Sequence, residues 1–450
     1  MNNKQDNKKT NRPTLPTEER VAKEYRRRPQ KAESERPAAP KAPSVSKNAA
    51  LKDTGRRRSI RRAQEGALTQ NSELQNLVRY QGSLDKVFLG LVLILICFGS
   101  VMVFSASYAY SMSQDPGNGF IYVKKQIGFV LFGLLVMFIA SRFDTEVIRN
   151  LSPWLYWISM FLLLLVFFIG SVGGGAKRWL NLGIVSIQPS EIAKTTLVLM
   201  LALYMNDHSS EIYDSPDPKE RIKYGIFKPF LYIALACFLV IIEKHLSGTI
   251  ILFMIGIIVI WAGGASTKFL AAAGGIGATL LAAFAVLVPY TRRRLEIWMD
   301  PEKDLTGSGW QTIQGLRAIG SGGLFGLGPA NSRQKHMYVS QPQNDFIYSI
   351  LCEELGYIGA IAVVLLFVAL VVRGYKIASK APDPFCSLVV TGIVSKVALQ
   401  AFLNIAVVTN TLPNTGISLP FFSYGGSSTV VLLAEMGIVL SISRYSRQER

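Results

Sequence analysis

From residue 86 to residue 443 the chain alternates apolar stretches of about membrane length with polar breaks. About 20 apolar residues wound as a helix cross the hydrocarbon core of a bilayer. The pattern predicts spans at 87–107, 122–141, 151–171, 188–206, 227–243, 247–264, 267–290, 346–372, 384–409 and 420–443. Only "EKHLS" parts the fifth from the sixth, which suits a tight hairpin. A long polar loop, 291–345, parts the seventh from the eighth. The expected fold is an all-α polytopic membrane protein with about ten transmembrane helices and a large extracellular loop between spans 7 and 8.

Composition agrees with this. Half of the 450 residues are hydrophobic and 17% are charged, against about a quarter charged in soluble domains. The charge is uneven. Residues 1–80 hold 20 of the 48 Lys and Arg against nine acidic residues, with almost no aromatic side chains. Such a segment cannot bury enough apolar area to offset its ordering entropy. It is expected to be a disordered basic tail, ahead of a transmembrane domain at 86–445. Its clusters "YRRRPQK" and "GRRRSIRR" suit anionic lipid better than nucleic acid, because a membrane segment follows at once. Lys and Arg then orient the spans. "SRFDTEVIRN", "ASTK" and "RGYKIASKAPDP" fall on the same side as the tail, so both termini are expected to be cytoplasmic. Cys97, Cys237, Cys352 and Cys386 lie in or beside apolar runs and have no disulfide or metal spacing. The three histidines are scattered, and no metal site is expected.

The 291–345 loop is then external, yet it carries Arg292, Arg293, Arg294, Lys303, Arg317, Arg333 and Lys335. That opposes the positive-inside trend and points to an anionic ligand. Its many glycines, from Gly307 to Gly328, rule out one long helix and offer backbone N–H groups as a phosphate cradle. Asp300 and Asp304 are its two candidate acids. Ionisable groups inside spans mark sites by default. Lys125 opens the second span at its outer end. Lys194 lies six residues past Gln188, roughly 9 Å deep, with Glu191 one turn away as a partner. Lys396 and Glu435 fall at equal depth on the last two spans and predict a buried ion pair. Gln400 and Asn404 look like packing groups that hydrogen-bond between helices.

Five ordered motifs now matter: "MVFSAS" (102–107), "GGAKRWLNLGIVSIQPSEIAK" (174–194), "DLTGSGWQTIQGLRAIGSGGLFGLG" (304–328), "NDFIYSILCEELGYIG" (344–359) and "LPNTGISLPFFSYGGSS" (412–428). On these the chain resembles the SEDS proteins, over about residues 86–445. These are peptidoglycan glycosyltransferases of bacterial division, elongation and sporulation. "NSRQKHMY" (331–338) is similar to the FtsW/SpoVE branch. Three departures stand out: His245 where the family often has an acid, Asn344 for Thr, and Trp310 for Tyr or Phe.

The resemblance implies polymerisation of lipid II, a disaccharide-pentapeptide on undecaprenyl pyrophosphate, into β-1,4 glycan. It places the family's external aspartate at Asp304 as catalytic base and leaves Asp300 to shape the loop. It makes Lys125 and Lys194 the cationic partners of that aspartate. The further substrate-binding candidates, Glu191, Arg292, Arg293, Arg294, Gln311, Asp345, Ser423 and Tyr424, rest on their place in the external loop, beside Lys194 or in the quoted motifs, and for Ser423 and Tyr424 packing is the alternative. The resemblance requires no cofactor and is compatible with a divalent cation. The partners it implies are lipid II, a class B penicillin-binding transpeptidase and other divisome membrane proteins, with no nucleic acid. The expected location is the bacterial cytoplasmic membrane, at the division septum. A lipid II flippase and a non-catalytic divisome scaffold are the competing functions.

Overall fold

The computed structural model describes residues 82–173, 176–181, 183 and 186–445. The predicted disordered tail at 1–80 lies outside them. Three helices come first: α1 (Lys86–Gln114), α2 (Ile121–Ala140) and α3 (Thr145–Ile169). A small antiparallel sheet follows, with strands β1 (Ser171–Gly173), β2 (Ala176–Asn181) and β3 (Ser186–Ile187) in that order. Next are α4 (Pro189–Asp207), α5 (Ser209–Tyr213) and α6 (Pro218–Ile222), which a π-turn runs on into α7 (Lys228–Ile242). Then come α8 (Leu246–Ala262), α9 (Thr267–Leu287), α10 (Pro289–Met299), a 3-10 turn (Pro301–Asp304) and α11 (Ser308–Ser321). The chain closes with α12 (Ile347–Ser379), α13 (Pro384–Val408) and α14 (Gly426–Ser443).

Among the described residues, seven helices are long and apolar enough to cross a membrane: α1, α2, α3, the continuous α6–α7 rod, α12, α13 and α14. The other three predicted spans coincide with α4, α8 and α9. The expected number of ten therefore exceeds what helix length and composition establish. Many large apolar side chains face outward, among them Val101, Leu131, Phe161, Phe238 and Leu365. That is the distribution of helices solvated by lipid, whose backbone groups must pair internally. α4 and α13 form the enclosed centre. α13 buries Ser395, Lys396, Gln400 and Asn404 together with its apolar residues.

Two expectations need correction. The last predicted span began at 420, but α14 begins at Gly426. Residues 410–425 form an irregular loop in which Leu419, Phe421 and Phe422 are nonetheless buried. Pro420 denies the helix a donor, and Phe421 adopts φ 67°. Buried loop backbone needs partners, and side chains supply them. Asn404 Nδ2 donates to Ile417 O (2.6 Å) and Asp345 O (2.8 Å), and Gln400 Nε2 donates to Ser418 O (3.2 Å). So Gln400 and Asn404 do more than pack helices: they hold this loop.

The glycine-rich stretch is not a free phosphate cradle. α12 breaks at Gly356 (φ 66°, ψ −168°), and residues 322–328 are spliced into the break. Leu327 N and Gly328 N donate to Glu353 O and Glu354 O (2.9 and 3.0 Å). Tyr357 N and Ile358 N donate to Gly323 O and Leu324 O (2.9 and 3.2 Å). The loop thus replaces the bonds the helix gives up. Lys335, counted above among cations for an anionic ligand, is likewise engaged. It is buried, with Nζ 2.8 Å from Glu354 Oε1 and 2.6 Å from Ala330 O.

A Cβ on Gly326 would lie 2.2 Å from Glu354 O, at φ 80°. A Cβ on Gly320 meets nothing within 4 Å. Gly326→Ala is therefore expected to destabilise by at least about 1–3 kcal/mol, and Gly320→Ala to be neutral or mildly stabilising. Thermal unfolding of the two variants in detergent checks this.

Candidate active site

A cavity of about 540 Å³ opens where the N-terminal end of α4, the α7–α8 turn, the 410–425 loop and α11 meet. Pro189 starts α4, and its first turns aim Glu191 and Lys194 inward. Both are buried, with Lys194 Nζ 2.8 Å from Glu191 Oε1. Gln400 Oε1 lies 3.5 Å from the same Nζ. Arg294 enters from α10, its guanidinium donating to Asn414 O (2.7 Å). Arg178 enters from β2 and donates to Lys244 O (2.7 Å). His245 packs beneath, with Nδ1 3.3 Å from Ser190 Oγ. Burial, reinforced by the field of Arg178, lowers the His245 pKa to about 3, so its ring is neutral at pH 7. Asp345 lines the wall beside Arg294. Burial pushes its carboxyl up to about 6 against the pull of Arg294 and Arg178.

The predicted residues separate into groups. Glu191, Lys194, Arg294, Gln311, Asp345 and Tyr424 share the cavity wall. Asp304 stands at the rim. Its Oδ2 accepts from Ser308 N (3.0 Å) and Ser308 Oγ (3.3 Å), and Ser308 lines the cavity. Arg292 is exposed and pairs with Glu296 (3.0 Å), while Arg293 is exposed and off the wall. Of the three consecutive arginines, one reaches the cavity. Lys125 is exposed in the first turn of α2 and off the wall. Its helix touches the site through Tyr122, whose ring is 5.1 Å from that of Tyr424. Ser423 shapes the loop, accepting from Leu419 N (2.7 Å) and donating to Asn344 O (3.0 Å). Among the described residues, no group of three His, Cys, Asp or Glu is placed to hold a metal ion.

With Arg178, Lys194 and Arg294 against Glu191 and Asp345, the cavity is polar and carries a positive excess. It suits a phosphorylated, hydroxyl-rich ligand.

The model of the cell cycle proteins FtsW, RodA and SpoVE matches residues 85–448. The chain belongs to the FtsW/RodA/SpoVE family. It is 39% identical over 367 residues to stage V sporulation protein E of Bacillus subtilis, covering 81% of this chain and 98% of that protein. It is 35% identical over 364 residues to the probable peptidoglycan glycosyltransferase FtsW of Geobacter sulfurreducens, covering 80% of this chain and 95% of that protein. A solved peptidoglycan synthase complex, described as coordinating polymerization and crosslinking, contains a chain of similar fold. The TM-score is 0.66 at 27% identity, over 80% of this chain and 98% of that one.

In this FtsW/RodA/SpoVE protein several wall residues lie outside the sequence candidates, Arg178 and Gln400 among them. Arg178 sits inside the quoted "AKRWLN" motif, and its charge was the available signal. Gln400 reads from sequence as a packing group, because helix position alone does not show that a facing loop leaves a cavity.

Asp345 also makes a prediction about pH. Its ordinary pKa is 3.8 and its folded value is about 6. The unfolded chain releases this proton first as pH rises. The stability from the protonated form is therefore full below about pH 4 and lost by about pH 6. Asp345→Asn should gain about 1–3 kcal/mol on wild type between pH 4 and pH 7, read from thermal midpoints at each pH.

Proposed function

We propose that this integral membrane protein is a peptidoglycan glycosyltransferase that polymerises lipid II. The observation that carries the reading is the cationic cavity of Arg178, Lys194 and Arg294 beside the Asp304-capped end of α11, in a chain of this family. A sugar hydroxyl is a poor nucleophile at neutral pH and needs a carboxylate to accept its proton. Asp304 takes the proton from the 4-hydroxyl of the acceptor N-acetylglucosamine. That oxygen bonds to the anomeric carbon of the donor N-acetylmuramic acid. The bond from this carbon to the pyrophosphate oxygen breaks, and one displacement turns the α-linked donor into a β-1,4 linkage. Negative charge builds on the departing undecaprenyl pyrophosphate, where Lys194, Arg294 and Arg178 stabilise it. Glu191 holds the Lys194 ammonium in place.

The cavity faces the outside of the cytoplasmic membrane in this reading, both termini are cytoplasmic, and the protein works at the septum. The likeness to a complex that polymerises and crosslinks supports a transpeptidase partner, a class B penicillin-binding protein. Purified protein with lipid II, with and without that partner, should yield glycan strands resolved on a gel. No strands from wild type under either condition would overturn the reading in favour of lipid II transport or scaffolding.

A smaller effect is expected one step from the base. Lys194→Met should reduce polymerisation by about 10²–10³-fold, the scale of losing one group that stabilises transition-state charge. Lys194→Arg should recover part of it. Equal loss in both variants would assign Lys194 to packing.

A further inference from the structure

A second cavity lies at the far ends of the helices that wall the first. α1 starts there, α12 ends there with Arg373, Lys376 and Lys380, and α14 ends there at Ser443. Its volume is about 390 Å³. At their other ends, α12 follows Asp345 and α14 carries Ser428 in its first turn, both on the wall of the first cavity. The unbroken run of α14 from Ser428, on the first wall, to Ser443, on the second, spans roughly 22 Å at 1.5 Å per residue. The two cavities therefore sit toward opposite faces of a hydrocarbon layer about 30 Å thick.

Charge distinguishes this cavity. Its wall holds Lys86, Arg373, Lys376 and Lys380 against one acid, Asp85. Asp85 is fully engaged. Arg373 Nε lies 3.0 and 2.9 Å from its two oxygens, a terminal guanidinium nitrogen lies 2.7 Å from Oδ2, and Phe88 N donates to Oδ1 (2.8 Å). Among the described residues, Lys86, Lys376 and Lys380 have no acidic partner. Lysines at the end of α12 complement that helix's dipole, which would account for two of them. Lys86 is different. It is the first residue of α1, where the dipole disfavours a cation. It fits the positive-inside trend of the tail-side ends, but the helix dipole opposes it, a cost that a nearby anion would offset.

The surface beside the cavity is apolar. α1 and α12 pack together, and Val87, Ile94, Val368 and Val372 on their outer faces are about half exposed. A cationic cavity beside an apolar surface matches a ligand with a phosphate head and hydrocarbon chains. The tail at 1–80 is a poor occupant, because it is itself strongly basic. We propose that this cavity binds the phosphate of an anionic glycerophospholipid, whose chains run along α1 and α12. Inorganic phosphate shares the head chemistry but makes no use of the apolar surface.

The test uses the full-length protein in mild detergent. Native mass spectrometry counts the lipids retained from an equal mixture of phosphatidylglycerol and phosphatidylcholine with the same chains. Wild type is expected to favour phosphatidylglycerol by about tenfold or more. Lys86→Gln/Lys376→Gln/Lys380→Gln is expected to lose that preference and keep its thermal midpoint in phosphatidylcholine. The single variants Lys86→Gln and Lys380→Gln should each lose part of it, and they decide the matter if the triple variant misfolds. Equal retention of the two lipids by wild type overturns the proposal, as does an unchanged preference in the variants. Millimolar inorganic phosphate should leave the preference intact. If it abolishes the preference, the site belongs to free phosphate and the lipid assignment fails.

Discussion

Asp304→Asn is expected to lower lipid II polymerisation by about 10²–10⁴-fold, the usual worth of a positioned general base, without a matching loss of stability. Asparagine makes this variant decisive. Asp304 has two duties in the geometry: its Oδ2 caps the first turn of α11 through Ser308 N and Ser308 Oγ, and its carboxylate is the proposed proton acceptor. Asparagine keeps a side-chain oxygen that can accept the Ser308 bonds but cannot take up the proton. Alanine removes both functions and should cost about 0.5–1.5 kcal/mol of stability besides, the worth of an ordinary hydrogen bond. If Asp304→Asn keeps near wild-type polymerisation while Asp304→Ala loses it, the residue is a cap and the base lies elsewhere. Asp345, on the cavity wall with its carboxyl at about 6, would then be the next candidate.

The second large effect lies at the centre of the bundle. Lys396→Met alone should destabilise the protein by about 3–5 kcal/mol, because it strands a buried carboxylate. Lys396 Nζ on α13 sits 2.5 Å from Glu435 Oε1 on α14, and both side chains are almost wholly buried. Thr195 on α4 donates to the same oxygen, so one carboxylate joins three helices. Removing both charges, in Lys396→Met/Glu435→Leu, should restore most of the loss. Exchanging them, in Lys396→Glu/Glu435→Lys, should also restore part of the loss, since the pair re-forms reversed and the Thr195 hydroxyl can accept from the ammonium. Thermal midpoints of the single and double variants give the coupling. Midpoints that simply add would show that the pair contributes nothing.

The placing of this pair was legible in the sequence, because two charges at equal depth in adjacent apolar stretches have few other partners. The Lys194–Glu191 pair was legible for a related reason, since their spacing of three is one helical turn. The helices themselves follow from long apolar runs, for which few other structures satisfy backbone groups in lipid. What failed was anything that depended on loops. "PFFSYGG" reads as apolar and therefore as span, yet its backbone turns at Pro420 and Phe421 and is held by Asn404 and Gln400 from a distant helix. The glycines of "GSGGLFGLG" could be seen as a break, but their acceptors, Glu353 O and Glu354 O, lie more than 20 residues away. Glu191 and Lys194 share a wall because they sit one helical turn apart, whereas Arg178 reaches it from a short strand that the apolar pattern does not show. The arginine run carried the right charge, but only helical phase separates Arg294, facing in, from Arg292 and Arg293, facing out.

The splice at Gly356 has a mechanical consequence. An unbroken α12 would be one stiff rod of 33 residues. Cut at Gly356, it becomes two struts with a joint, and the joint is clamped by four backbone bonds from the segment directly after α11. A tilt of the strut 347–355 would therefore be passed through these bonds to α11. Asp304 caps the other end of α11, so a load on that strut moves the proposed base relative to the Glu191–Lys194 anchor on α4. A partner pressing on this part of α12 would hold a lever on catalysis without touching the cavity.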